Sequence, residues 1–356
     1  MKPIISVPII VSLLYRAWSR KSLTPVGLIT AGLTATAHAL NPWSLPLFLL
    51  LVFYVGGTRA TRVKHDIKAQ LTLSATGSHD SEGPRTHIQV LANSIVATVL
   101  GLAHAWVLAN NKDGPTAECF SNGHRASDLL MVGVIANYAA VAADTYSSEL
   151  GILSKSKPRL IISPTLRVVP PGTNGGVTGT GILAGAFGAF TVGLTSAVLL
   201  PFCNSFPSTV QDRIIWILAM TVWGTLGSIL DSVLGGLLQA SVVDKRSGKI
   251  VEGTGGHKVL IHPSSTNPGS TGSVSGPSAS TTSAQLQNTE TELKGGKSVE
   301  TTSGEEVHHE SRRVESGVDI LDNNAVNVLM AFTMSVGAMG VASYAWDLSI
   351  WEAFST

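Results

Sequence analysis

Apolar residues fall in eight blocks along the chain, at 4–18, 26–40, 43–57, 88–109, 128–144, 180–202, 213–240 and 325–346. A helix needs about 20 largely apolar residues to cross a bilayer. The last five blocks are long enough and the first three are short. A break at Asn41-Pro42 separates either two thin spans or the arms of a re-entrant hairpin. The pattern predicts an all-α, polytopic integral membrane protein with seven to eight transmembrane helices. Lys2 followed by Ile4 to Leu14 has the form of a signal peptide's first two regions. However, Arg16, Arg20 and Lys21 stand where a small-residue cleavage site belongs, so the segment reads as an uncleaved helix.

The pattern changes between His262 and Arg313, where there is no Phe, Trp or Tyr and roughly two residues in five are Ser or Thr. Such a segment buries too little apolar area to offset the entropy of ordering it. It predicts a disordered Ser/Thr-rich cytoplasmic loop over 263–312. That loop would interrupt one membrane domain, with helices one to seven in 1–262 and the last helix and a short tail in 313–356.

Charge fixes an expected orientation. Lys and Arg number 24 against 23 Asp and Glu, and charged residues are 13% of the chain, about half of the ~25% usual in soluble domains. Near-zero net charge offers no footprint for nucleic acid. Every alternate connection is basic: Arg16, Arg20 and Lys21; then Arg59, Arg62, Lys64, Lys68 and Arg85; then Lys155, Lys157, Arg159 and Arg167; then the long connection before the last helix. The positive-inside rule places these in the cytoplasm and both termini opposite, in the endoplasmic reticulum or another endomembrane. Cys119 and Cys203 then share the non-cytoplasmic side. Two cysteines make neither a disulfide framework nor a zinc site, and the sequence leaves open whether they are bonded.

Several polar residues sit where lipid-facing helices exclude them. Asp144 ends the fifth block, and helical spacing sets Ser147, Ser148 and Gly151 near its face, with Glu149 about 140° away unless the helix ends there. A carboxylate at mid-membrane costs about 2.5–3.5 kcal/mol on insertion scales, so it needs water, a cation or a basic partner. Asp231 lies deep in the seventh block beside Gly224, Gly227, Ser228 and Gly235, small residues that admit a close helix neighbour. Asp319, Asn323 and Asn327 repeat at i, i+4, i+8 and carry a polar stripe into the last helix, with Asp322 in capping position. The turn Pro170-Pro171-Gly172-Thr173-Asn174-Gly175-Gly176 feeds a glycine-rich helix start, which suits an anion. Arg62, Lys64 and Lys68 supply cations at the interface, for phosphates or for anionic lipid headgroups. Gly179-Thr180-Gly181-Ile182-Leu183-Ala184 fits the dinucleotide fingerprint in letters only, since a transmembrane block follows and no strand-helix-strand unit surrounds it.

Taken in order, Asp-Thr-x-x-Ser-Glu-x-Gly at 144–151, Lys-x-x-Pro-Arg-Leu-Ile at 155–161, Pro-x-Gly-Thr-Asn-Gly-Gly-Val-Thr at 170–178, Gly-Ser-x-x-Asp-Ser-x-x-Gly at 227–235 and Leu-Asp-Asn-Asn-Ala-Val-Asn at 321–327 resemble the transmembrane protein 19 family, also known as domain of unknown function 92. The resemblance runs from about residue 22 to the end, outside 263–312. Tyr146 departs from it, standing where tryptophan is more familiar. The family's plant branch includes phytyl-phosphate kinase, so the resemblance implies transfer of a phosphoryl group to an isoprenyl monophosphate. By looser analogy with polyprenol kinases and CDP-diacylglycerol synthases, it implies CTP and Mg²⁺ as well.

On this reading Asp144, Asp231 and Asp322 are catalytic and, with Glu149, hold Mg²⁺ through oxygen ligands. Gly172, Thr173, Asn174, Gly175, Gly176, Arg159, Arg62, Lys64 and Lys68 bind phosphate, and Ser148, Ser228, Asn323 and Asn327 line the site. Membrane lipid, isoprenyl phosphate and CTP are the expected partners. The competing classes are an ion- or proton-coupled transporter, whose polar groups would open to both faces, and a non-catalytic scaffold dependent on the 263–312 loop.

Overall fold

A computed structural model describes residues 2–74, 83–110, 119–203, 209–253 and 312–354. Each apolar block is a helix: α1 (Pro3–Ser19), α2 (Pro25–Leu40), α3 (Leu45–Arg62), α5 (His87–Asn110), α6 (Asp128–Gly151), α7 (Gly179–Leu199), α8 (Val210–Leu238) and α9 (Asn323–Trp346), with a single turn, α4 (His65–Lys68), after α3. Among the described residues, α5, α6, α7, α8 and α9 are long and apolar enough to cross a membrane, whereas α1 and α2 are shorter apolar helices. The segment 263–311 lies outside the described residues.

Helix α6 fills the axis of the bundle. Leu129 through Ala143 are buried without interruption, as expected of a helix apolar on every side. Small residues let its neighbours approach: a Cβ at Gly224 would meet Ala139 O at 2.6 Å, one at Gly227 would meet Ala140 Cβ at 2.6 Å, and one at Gly188 would meet Ala142 O at 2.6 Å. The outer faces of α1, α7 and α8 present Ile4, Val11, Leu183, Val198, Ile215 and Val222, the apolar surface a bilayer covers.

One end of the bundle is closed by a disulfide between Cys119 and Cys203, joining the α5–α6 connection to the α7–α8 connection. Phe120 N–H donates to Pro201 O at 2.8 Å and Cys203 N–H to Phe120 O at 3.0 Å. The fully buried Phe120 ring packs against Trp43, Phe202, Trp216 and Trp346. Asp128, at the start of α6, accepts from the Ser121 N–H and hydroxyl.

The opposite end carries short strands that the apolar pattern did not predict. β1 (Leu73–Ser74), β4 (Ser241–Asp244), β5 (Ile250–Glu252) and β6 (Arg312–Ser316) form one sheet in the order β1-β5-β4-β6, and β2 (Arg159–Leu160) pairs with β3 (Gly176–Val177). β5 and β6 both run antiparallel to β4, while β1 runs parallel to β5. In the β4–β5 turn the Ser247 hydroxyl donates to Asp244 at 2.8 Å and holds that carboxyl below its usual range. Arg312, expected in the loop, is the first residue of β6. The expected polar stripe is also shorter, because α9 begins at Asn323 and Asp319 precedes it in a turn.

Candidate functional site

At this second end, the C-terminal turns of α6 and α8 and the N-terminal turns of α5, α7 and α9 surround a cleft of about 850 Å³. Asp144 and Ser148 from α6, Asp231 from α8, and Asp322, Asn323 and Asn327 at the start of α9 all line it, as do Gly172 through Gly176. Ser148 donates back to Asp144 O and Thr145 O. Asp144 and Asp231 are half-buried in the lining of the cleft. With its amide turned to donate, Asn327 reaches Asp231 Oδ2 at 3.2 Å and Asn323 O at 3.1 Å. Among the described residues neither carboxylate has a Lys or Arg ion-pair partner.

The glycine turn is built into its surroundings. Gly172 and Gly175 have φ of +85° and +77°, the left-handed region that glycine adopts without steric cost. A Cβ on Gly175 would also lie 2.8 Å from Ser232 O of α8. Three amides expected to face a phosphate already have acceptors: Thr173 N–H donates to Pro170 O, Asn174 N–H to Ser241 Oγ and Gly176 N–H to Thr173 O. Thr178 caps α7 by accepting from Gly181 N–H at 3.0 Å.

Several expected residues fall elsewhere. Glu149 lines the cleft but is bound to Lys68 Nζ at 2.5 Å and accepts from the Thr61 hydroxyl at 2.8 Å. It is therefore not part of a four-carboxylate cation cage, and among the described residues no three His, Cys, Asp or Glu side chains cluster as metal ligands. Asp322 is the N-cap of α9, accepting from Ala325 N–H at 2.8 Å. Lys68 is not a free cation. Its ammonium has three N–H groups, and these meet Glu149, Ala60 O and Thr61 O. Arg62 and Lys64 are exposed and outside the cleft, where Lys64, at φ 50°, breaks α3 from α4. Arg159 is also exposed outside the cleft and donates to Leu166 O. Ser228 is buried off the cleft, whose wall is formed one turn later by Ser232.

The cleft includes residues that sequence reasoning did not assign to the site: Arg85, Gln89 and Asn93 at the start of α5, Thr24 at the start of α2, and Lys155 and Lys157. Arg85 had a signal of its own as a cation immediately before an apolar block, but nothing distinguished it from its basic neighbours in the same connection.

A helical bundle of membrane-crossing length, with a polar cleft at one end and apolar outer faces, defines a polytopic integral membrane protein. Its sequence places it more narrowly. The chain belongs to the family described as integral membrane protein DUF92, whose profile matches residues 8–335. It is similar to Protein PGR of Arabidopsis thaliana, 36% identical over 239 residues that cover 67% of this chain and 79% of that one. An uncharacterized membrane protein of Methanocaldococcus jannaschii is 31% identical over 193 residues, 54% of this chain and 65% of the other. No solved structure matches the chain.

Proposed function

We propose that the cleft transfers a phosphoryl group from a nucleotide, CTP by the family resemblance, to an isoprenyl monophosphate. The observation that carries this reading is that Asp144 and Asp231, two half-buried carboxylates, line one cleft without a basic ion-pair partner among the described residues. Two carboxylates with neighbouring amides suit Mg²⁺, which takes one or two protein carboxylates and completes its shell with water and substrate phosphates. A bound Mg²⁺ would neutralise charge on the transferring phosphate oxygens.

The remaining work belongs to the chain. An acceptor phosphate oxygen forms a bond to the terminal phosphorus of the nucleotide as the bridging P–O bond breaks, and the nucleoside diphosphate leaves. Such transfers rely chiefly on positioning and charge neutralisation. The buried position of Thr173 and the hydrogen bonds of Asn174 and Gly176 fix the turn that forms one wall. Asn327 orients Asp231. The lipid tail would lie along the glycine-rich α7 and α8, with the cleft facing the cytoplasm of an endomembrane.

The test is reconstitution of wild type and Asp144→Asn with Mg²⁺, a panel of isoprenyl monophosphates and γ-labelled CTP or ATP. Labelled lipid diphosphate is expected with wild type, and a loss on the order of 100-fold or more in the variant. Folded wild-type protein that labels no lipid with any pair would defeat the kinase reading and favour transport.

A further inference from the structure

We propose that Arg85 is a phosphate-binding cation of the cleft, in the role expected for Arg62, Lys64 and Lys68; this rests on the phosphotransfer reading above. Arg85 is half-buried and lines the cleft. Its backbone is fixed between helices: Arg85 N–H donates to Ser22 O at 3.1 Å, and Thr24 N–H donates to Arg85 O at 3.0 Å. The guanidinium has five N–H donors. Among the described residues its side chain makes one hydrogen bond, from Nη2 to Thr61 Oγ1 at 3.0 Å, and no ion pair.

The contrast with Lys68 shows which of the two cations beside Thr61 is available, while Lys155 and Lys157 also line the cleft but are exposed. Glu149, the nearby carboxylate that also binds Thr61, is neutralised by Lys68, and every Lys68 donor has an acceptor. Among the described residues Arg85 therefore keeps most of its planar donor edge without a partner, the geometry that grips phosphate through two parallel hydrogen bonds. It also stands beside α3 and α6. A Cβ at Gly57 would meet Thr145 Cγ2 at 3.4 Å and Arg85 Nη1 at 3.8 Å, so the guanidinium and Thr145 of α6 flank the same point on α3. Thr24 and Thr86, at the starts of α2 and α5, line the same corner, where helix N-termini add positive potential. The ligand class is a phosphate monoester or anhydride, carried by either the lipid or the nucleotide.

The experiment compares wild type, Arg85→Gln and Arg85→Lys in nanodiscs, each shown to be monodisperse. Binding of farnesyl monophosphate and of CTP is measured separately at equilibrium, and KM for each substrate is measured in turnover. Arg85→Gln is expected to weaken one of the two at least 10-fold and the other less than 3-fold, with Arg85→Lys between. Loss on the farnesyl monophosphate arm assigns Arg85 to the lipid phosphate, and loss on the CTP arm assigns it to the nucleotide. Wild type that binds both probes with Arg85→Gln binding them equally overturns the role of Arg85 alone. Wild type that binds neither probe overturns the phosphotransfer reading with it.

Discussion

At the scale of single residues, the chain separates cations that hold structure from those that face the cleft. Lys68 and Glu149 have side chains only 11% and 12% exposed, and each is the other's charge partner. Removing one member of a buried pair strands the other, at a cost of about 3–5 kcal/mol. Lys68→Met is therefore expected to lower the apparent unfolding temperature in detergent clearly, and Lys68→Met with Glu149→Leu to recover much of the loss. If the single variant unfolds like wild type, the pair is not the tie between α4 and α6 described above. The sequence showed both residues but not their pairing, because 81 positions separate them and each was equally plausible as a ligand. Asp144, Asp231 and Asn327 were legible for the opposite reason: a polar group inside an apolar block is conspicuous wherever the chain folds.

At the scale of elements, periodicity and length located every long helix, and the ends shifted by a few residues, as with the 43–57 block that became Leu45–Arg62. The strands escaped notice because runs of two to five residues inside polar connections carry no measurable alternation. Their pairing brings 73–74, 241–252 and 312–316 together from three distant parts of the chain. The small residues of α8 were read correctly as a packing face, and they carry a sharper expectation. Gly224→Val would drive its Cβ into Ala139 O and Ala189 Cβ, both at 2.6 Å, where overpacking typically costs about 1–3 kcal/mol. Because Asp231 lies two turns further along the same helix, the displacement should reduce stability and phosphoryl transfer together. Unfolding temperature and turnover measured on one preparation would show it, and full activity in a destabilised protein would uncouple the helix contact from the site.

At the scale of the whole molecule, the two ends of the bundle have different jobs: the cleft is open and polar, whereas the other end is cross-linked around Phe120. The disulfide spans 84 positions, and a disulfide typically contributes about 2–4 kcal/mol. Reduction, or Cys119→Ser with Cys203→Ser, is expected to lower the unfolding temperature while leaving transfer close to wild type, since neither cysteine approaches the cleft. Free thiols detected by alkylation without prior reduction would contradict the bond. The enclosure of α6 has a further consequence, for the order in which the protein is made. Asp144 of α6 emerges from the ribosome before α7, α8 and α9 exist to enclose it, whereas Asn137 already donates to Asn93 O of the earlier α5, and α9, whose Met330 and Met334 complete the same core, follows the other described long helices. Until then the carboxylate of Asp144 stands outside a completed bundle. Nascent chains that stop short of Asn323 should therefore remain substrates for membrane chaperones and quality-control proteases, and the arrival of α9 releases the protein from their attention.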